Sequence, residues 1–184
     1  MIRAGVLGAG HLGKIHLRLL EESKRYELVG FFDPDHKTAK ALEQEKGYTA
    51  FKSEANLIQA CDMVDIVTPT PLHHQNALNA INKGKHVFIE KPIANSVAEA
   101  REIYELANQN GVLGQVGHVE RFNPAFKAIK SSVTHPKFIE SHRLAEFNPR
   151  GTDVPVVLDL MIHDIDVLLS VVESNVKYVS ASGV

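Results

Sequence analysis

Cysteine is nearly absent from this chain: Cys61 is the single one among 184 residues, so no internal disulfide can form. That excludes a disulfide-stapled scaffold and fits a reducing compartment, hence the expectation of a cytoplasmic protein. Charge of one sign is not in excess either, with 20 Lys+Arg against 22 Asp+Glu and a formal charge of −2. Such a balance argues against nucleic acid as a partner while leaving room for a local basic pocket. No apolar run approaches the roughly 18 residues a bilayer span requires, so no membrane partner is expected. Glycine (12) and proline (8) are not over-represented, and the 44% hydrophobic and 23% charged shares are those of a globular protein. Disordered and collagen-like classes are thereby excluded. The first ten residues are apolar around Arg3, but His11, Lys14, His16 and Arg18 follow at once, where a signal sequence would stay apolar.

What the chain does contain is an alternation of short apolar runs and helical patterns. Ile2–Leu7 reads as a buried strand, and residues 12–22 carry Leu12, Ile15, Leu19 and Leu20 at helical spacing. Between them lies Gly8-Ala9-Gly10-His11-Leu12-Gly13, a G-x-G-x-x-G. Alone this motif is a weak signal. A preceding strand, a following helix and an acidic residue about 20 positions on make it a dinucleotide-binding fingerprint. Here Tyr26–Phe32 is the second apolar run, and it ends at Asp33. In this reading Gly8 permits the tight turn, Gly10 lets the backbone approach a pyrophosphate, and Gly13 lets helix and strand pack closely. The phosphates meet the helix N-terminus at His11 and Leu12. Asp33 accepts hydrogen bonds from the ribose hydroxyls and repels a 2′-phosphate, which favours NAD over NADP. The plainer alternative is that Asp33 only caps a helix beginning near Pro34.

The alternation continues with helices over 38–46, 53–60, 72–83 and about 96–110, and strands over 63–67, 86–89 and 112–116. It predicts an α/β fold, a doubly wound parallel sheet with helices on both faces and ligands beyond the carboxyl ends of the strands. Three strand ends carry chemistry. After Val67 come Thr68, Pro69, Thr70 and Pro71, and cofactor contacts are expected from Thr68, Pro69, Thr70 and His73. His73 and His74 make a poor metal pair, because helical neighbours point about 100° apart. After Ile89 comes Glu90-Lys91-Pro92, where the extended geometry before proline projects Lys91 into the crevice. Glu90 and Lys91 join the expected cofactor contacts. After Val116 comes Gly117-His-Val-Glu-Arg-Phe-Asn-Pro124, the exit from a nucleotide domain set at residues 1–120.

Beyond it, residues 126–132 read as a short helix, 138–147 as a strand and 148–153 as a loop carrying Arg150. Arg150 is a candidate contact for a substrate phosphate, or a plain surface charge. Residues 156–172 form the densest apolar segment, expected to be a largely buried helix, yet Asp159, His163, Asp164 and Asp166 interrupt it. On a helix, positions 159, 163 and 166 fall within about 60° of one another. Three readings stay open. In the first, Asp159 and Asp166 simply hydrogen-bond His163 in the core. Asp159 and His163 are alternatively i,i+4 metal ligands, lacking two further obvious donors. Third, His163 does acid–base chemistry with Asp159 orienting it, which suits a nicotinamide site upstream and needs no metal.

Residues 8–13 with Asp33, then Glu90-Lys91-Pro92, then Asp159-Leu-Met-Ile-His163-Asp-Ile-Asp166, in that order, resemble the Gfo/Idh/MocA oxidoreductases. The resemblance implies a Rossmann domain over 1–120, followed by an α+β substrate domain with a large open sheet, of which 121–184 is the beginning. It implies hydride transfer between a sugar or polyol hydroxyl and NAD, and a homo-oligomer built through the open sheet at full length. It also implies that Lys91, Asp159 and His163 line the substrate site as its catalytic residues. The segments around Gly117 and His163 further resemble the branch that acts at C3 of UDP-N-acetylglucosamine. A non-enzymatic NAD-sensing regulator of the same fold, and a metal-dependent hydrolase centred on Asp159 and His163, are the other classes. Family members are longer, so the chain reads as truncated where residues 177–184 enter the second sheet. NAD(H) binding with poor turnover is the resulting expectation.

Overall fold

The apolar alternation resolves into strands and helices in a computed structural model that describes residues 1–144 and 154–183. The chain divides into two compact units, Met1–Gly117 and His118–Val184. In the first, strand β1 (Ile2–Leu7) pairs in parallel with β2 (Tyr26–Phe32) on one side and β3 (Met63–Ile66) on the other. Strands β4 (His86–Ile89) and β5 (Gly114–Val116) extend the sheet, giving the order β2-β1-β3-β4-β5 with every pair parallel. Beyond β2, the Phe31 N–H donates to the Thr49 carbonyl at 2.9 Å and the Phe51 N–H to the Phe31 carbonyl at 2.8 Å, a single parallel bridge at Ala50. Counted as a strand, that stub makes the order 3-2-1-4-5-6 of the doubly wound dinucleotide folds, with the switch point between β1 and β3.

Five helices cover the sheet: α1 (His11–Glu22), α2 (His36–Lys46), α3 (Glu54–Ala60), α4 (Thr70–Ile81) and α5 (Val97–Asn110). The pleat sends Ala4 and Val6 of β1 into one core with Leu17, Leu20, Phe31 and Leu42. Leu7 goes to the other face, with Leu57, Val64, Ile66, Ala77, Ile81 and Ile89. Burial on both faces is why the strands read as continuous apolar runs. Helix ends follow side-chain chemistry. Asp35 caps α2 by accepting from the Lys37 N–H at 3.0 Å, and left-handed Gly47 closes it. Ser96 and Glu99 form a reciprocal capping box on α5, which ends at left-handed Gly111.

One helix face is not the expected one. Leu12 and Leu19 of α1 are about half exposed, and its buried side is Gly13, Leu17 and Leu20, with His16 beside them. Gly13 decides the orientation. A Cβ at this position would overlap the Gly8 carbonyl oxygen, so the helix approaches β1 closest on the face that has no side chain.

The second unit contains a 3-10 turn (Val119–Phe122), α6 (Pro124–Ile129), a second 3-10 turn (Lys130–Ser132), a π-turn (Val157–Met161) and α7 (Ile162–Val171). The strand expected over 138–147 is not formed over residues 138–144, and its last three residues lie outside the described ones. A strand is defined by its ladder, and no described segment pairs with this one. Residues 177–183 are likewise not a strand. The 156–172 segment is helical but not largely buried: Val156, Met161 and Leu169 are more than half exposed, because nothing described in this unit forms a core over them. Asp166 alone among the unit's described residues is buried. Arg150 and its loop lie outside the described residues. No described helix is long and apolar enough to cross a membrane.

Candidate functional site

The carboxyl end of β1 runs directly into the glycine loop, and local sterics dictate each glycine differently. Gly8 has φ +93°, and a Cβ there would sit 2.8 Å from the Val67 carbonyl oxygen at the end of β3. Its N–H donates to the Phe32 carbonyl at 2.9 Å, so the turn is pinned to the strands on both sides of β1. Gly13 has no room for a side chain, as described. Gly10, the residue before α1, has nothing within 4 Å of where a Cβ would stand. Its exposed backbone and the first turn of α1, with His11 and Leu12 also exposed, leave an open N-terminal helix face. That is the cradle a pyrophosphate needs.

Asp33, at the end of β2, closes the loop. Its Oδ2 accepts the Ala9 N–H at 2.7 Å and its Oδ1 accepts the Asp35 N–H at 2.8 Å. Asp35, not Asp33, is the N-cap of α2, so the capping alternative is not what the structure shows. Each Asp33 oxygen keeps a lone pair for a further donor such as a ribose hydroxyl. The residues therefore fit a dinucleotide on three counts: an open backbone at Gly10, an uncapped helix terminus, and a half-buried carboxylate beside both.

The ends of β3 and β4 are tied together by His73. This side chain is 1% exposed, with Nδ1 2.8 Å from the Pro92 carbonyl and Nε2 2.8 Å from the Thr68 carbonyl. Both nitrogens are thereby used on the main chain, which makes His73 a brace between the two loops. Thr68 donates its hydroxyl to buried Asn76 Oδ1 at 3.0 Å, while Pro69 and Thr70 open α4. Glu90 is buried, and its Oε2 accepts the Lys91 N–H at 3.1 Å. Lys91, half-buried, follows the end of β4.

Two residues of this region were not anticipated. His16 on α1 places Nδ1 2.9 Å from Asp65 Oδ2 and Nε2 3.3 Å from Glu90 Oε1. Burial works against a charged imidazole, but hydrogen bonds to Asp65 and Glu90 outweigh it and push the His16 pKa up to about 10. Burial alone would raise Glu90; the donors His16 and the Lys91 N–H bring it below its ordinary value. Burial raises Asp65, against the pull of His16. The signal available in the sequence was Asp65, a carboxylate in the middle of the apolar strand Met63-Val-Asp-Ile66.

In the second unit, Asp159 lies in the π-turn and His163 in the first turn of α7, both half-buried. The π-turn has more residues per turn than an α-helix, which brings positions 159 and 163 nearer to one face than α-geometry would. Asp166 accepts two hydrogen bonds from the Arg121 guanidinium, both at 2.6 Å, and His118 Nδ1 is 3.8 Å from Asp166 Oδ1. Arg121 was not singled out in the sequence. Among the described residues no group of three His, Cys, Asp or Glu is placed to hold a metal ion.

Residues 2–118 match the family described as "Oxidoreductase family, NAD-binding Rossmann fold". Over all of this chain, UDP-N-acetylglucosamine 3-dehydrogenase from Acidithiobacillus ferrooxidans is 35% identical, with 58% of its own length covered. A scyllo-inositol 2-dehydrogenase (NAD(+)) from Bacillus subtilis is 28% identical over 99% of this chain and 57% of its own. Among solved structures, UDP-N-acetylglucosamine 3-dehydrogenase from Acidithiobacillus ferrooxidans superposes with a TM-score of 0.86 at 36% identity, covering 92% of this chain and 56% of the other. The chain thus spans little more than half the length of these relatives. With the glycine cradle, the Asp33 carboxylate and the 3-2-1-4-5-6 sheet order in accord, this chain belongs to the Gfo/Idh/MocA oxidoreductase family, whose NAD-binding Rossmann fold it carries.

Proposed function

We propose that this chain carries the cofactor-binding part of an NAD-dependent dehydrogenase acting on a secondary hydroxyl of a sugar or polyol, with C3 of UDP-N-acetylglucosamine as the first position to test. The observation that carries the reading is the Asp33 carboxylate fixed on the Ala9 N–H beside the open backbone of Gly10. A carboxylate held there favours a free ribose hydroxyl over a 2′-phosphate, hence NAD over NADP. The substrate class follows from the relatives, a nucleotide-sugar dehydrogenase and an inositol dehydrogenase. Bound NAD supplies the hydride acceptor. In the proposed mechanism His163 takes the proton of the substrate hydroxyl, and Asp159 holds the imidazole in the tautomer that can accept it. Lys91 donates a hydrogen bond to the same oxygen as negative charge develops on it. Arg150 meets a substrate phosphate, and the full-length protein works as a homo-oligomer.

The test is cofactor binding by fluorescence, then formation of reduced nicotinamide with a panel of UDP-sugars and polyols. Binding of NADH in preference to NADPH by this chain is expected, with turnover on at least one member by the full-length protein. Tight NADH binding without turnover on any of them would favour a cofactor sensor. In the full-length protein Lys91→Ala should lower turnover by at least about a hundredfold, the scale of losing one oxyanion donor, with NADH affinity retained. Near-normal turnover in that variant removes Lys91 from the chemistry.

A further inference from the structure

Two buried carboxylates face one imidazole beneath the glycine loop, and nothing in dinucleotide binding itself calls for them. The Asp65, Glu90 and His16 side chains are 5%, 10% and 17% exposed. They come from three elements: α1, which leads out of the glycine loop; β3, next to the switch point; and the residue after β4, immediately before Lys91. Buried carboxylates are costly unless shared with a cation, and replacing such a cluster by apolar side chains is often stabilising. Asp65 Oδ1 is buried and has no hydrogen-bond partner among the described residues, so the cluster is not optimised for stability alone.

Geometry shows what the cluster does accomplish. The Glu90 carboxylate has one place to stand. A Cβ on Gly117 would lie 2.7 Å from Glu90 Oε1, so the backbone of Gly117 walls it on one side. His16 Nε2 approaches the same oxygen at 3.3 Å, while the other oxygen accepts the Lys91 N–H at 3.1 Å. The imidazole is itself fixed, by Asp65 at 2.9 Å and by an edge-on contact with the Phe88 ring, centroids 5.8 Å apart. A chain of contacts thus runs from the helix of the glycine loop to the peptide N–H of the lysine.

We propose that His16 is a positioning residue: clamped between Asp65 and Glu90, it fixes the Glu90 carboxylate beneath the Lys91 N–H and so sets how Lys91 leaves β4. The consequence for turnover rests on the role of Lys91 proposed above; the effect on the Lys91 backbone does not. Cofactor loop and lysine are then held in register through one side chain, on the strand ends where the fold binds its ligand.

The test compares His16→Ala and His16→Asn in the whole chain. The Asn amide can occupy the position of Nδ1 and donate to Asp65, but it is too short to reach Glu90. Thermal stability should therefore fall in the alanine variant and recover in large part in the asparagine variant. Hydrogen exchange at the Lys91 amide, read by NMR, should accelerate by about tenfold or more in both, since only the full imidazole holds Glu90 in place. On any substrate that the panel identifies, kcat should fall by about tenfold or more in both variants, with KM and NADH affinity within about twofold. Lys91 exchange that is unchanged, or that His16→Asn restores along with stability, overturns the proposal. If exchange accelerates as expected while no substrate is turned over by the full-length parent protein, it is the dehydrogenase reading that fails and the clamp that stands.

Discussion

Gly10 and Gly13, three residues apart in the glycine motif, respond to an added methyl group in opposite ways. At Gly13 a Cβ overlaps the Gly8 carbonyl oxygen, a backbone atom that cannot rotate away. Gly13→Ala should accordingly destabilise the fold by about 1–3 kcal/mol, the range for overpacking, and lower NADH affinity along with it. At Gly10 the added carbon meets nothing within 4 Å. Gly10→Ala should cost under about 1 kcal/mol, since alanine is only a poorer helix cap than glycine. Yet it should weaken NADH by at least about tenfold, because the methyl group occupies the surface a pyrophosphate would approach. Thermal unfolding and a fluorescence titration separate the two cases. Equal affinity in Gly10→Ala and the parent would show that the phosphates do not pass over this residue.

At the scale of elements, α1 is attached to the sheet partly by charge, and that attachment has a pH signature. His16 faces Asp65 of β3 and Glu90 beyond β4, with the Lys91 ammonium acting on Glu90 from the next position. The His16 pKa is raised from 6.5 to about 10, so between these values the folded state binds more protons than the unfolded one. Its contribution is therefore fully present below the unfolded value and is lost as pH rises through the folded one. Burial pushes the Cys61 thiol up to about 11, and burial with the Glu21 hydrogen bond pushes Tyr48 up to about 12, so both act in the same sense at higher pH. The unfolding midpoint should fall between about pH 7 and pH 9.5, and His16→Asn, less stable at the start, should lose less over that interval. A flat parent profile across it would contradict a cationic His16 in the clamp.

The same helix shows how far the sequence could be read. The strands, the helices of the first unit and the glycine loop with Asp33 were legible, because parallel buried strands and cap residues are local patterns. The orientation of α1 was not. Leu12, Ile15, Leu19 and Leu20 look like the apolar stripe, but the sheet takes the face of Gly13, His16, Leu17 and Leu20, since close approach at Gly13 outweighs the extra leucines. A helix that turned the leucine stripe inward would carry His16 away from Asp65 and Glu90, so no local pattern links the three. Residues 138–144 of the strand expected over 138–147 differ for another reason: their mixed alternation suits a strand, but strands depend on a neighbour that local pattern does not supply.

For the whole molecule, burial is distributed very unevenly. Among the described residues all the buried apolar side chains, from Ala4 to Ala107, belong to Met1–Gly117, whereas Asp166 is the only buried residue described in His118–Val184. Asp166 is held by two Arg121 hydrogen bonds instead of by packing, and an ion pair with a half-exposed arginine adds little to stability. Apolar burial is the dominant favourable term in folding, so cooperative stability should reside in the first unit. Native-state hydrogen exchange should find the slowest amides in β1, β3 and β4, opening only with global unfolding. Amides of α6 and α7 should exchange at least about a hundredfold faster, through local opening. It follows that residues 1–117 alone should retain the NADH affinity of the whole chain to within about threefold, since the glycine loop, Asp33 and the Thr68 and Lys91 loops all lie within them. Protection in α7 equal to that in β1 would mean that the second unit shares the global transition, and a loss of affinity on removing it would place part of the cofactor site beyond Gly117.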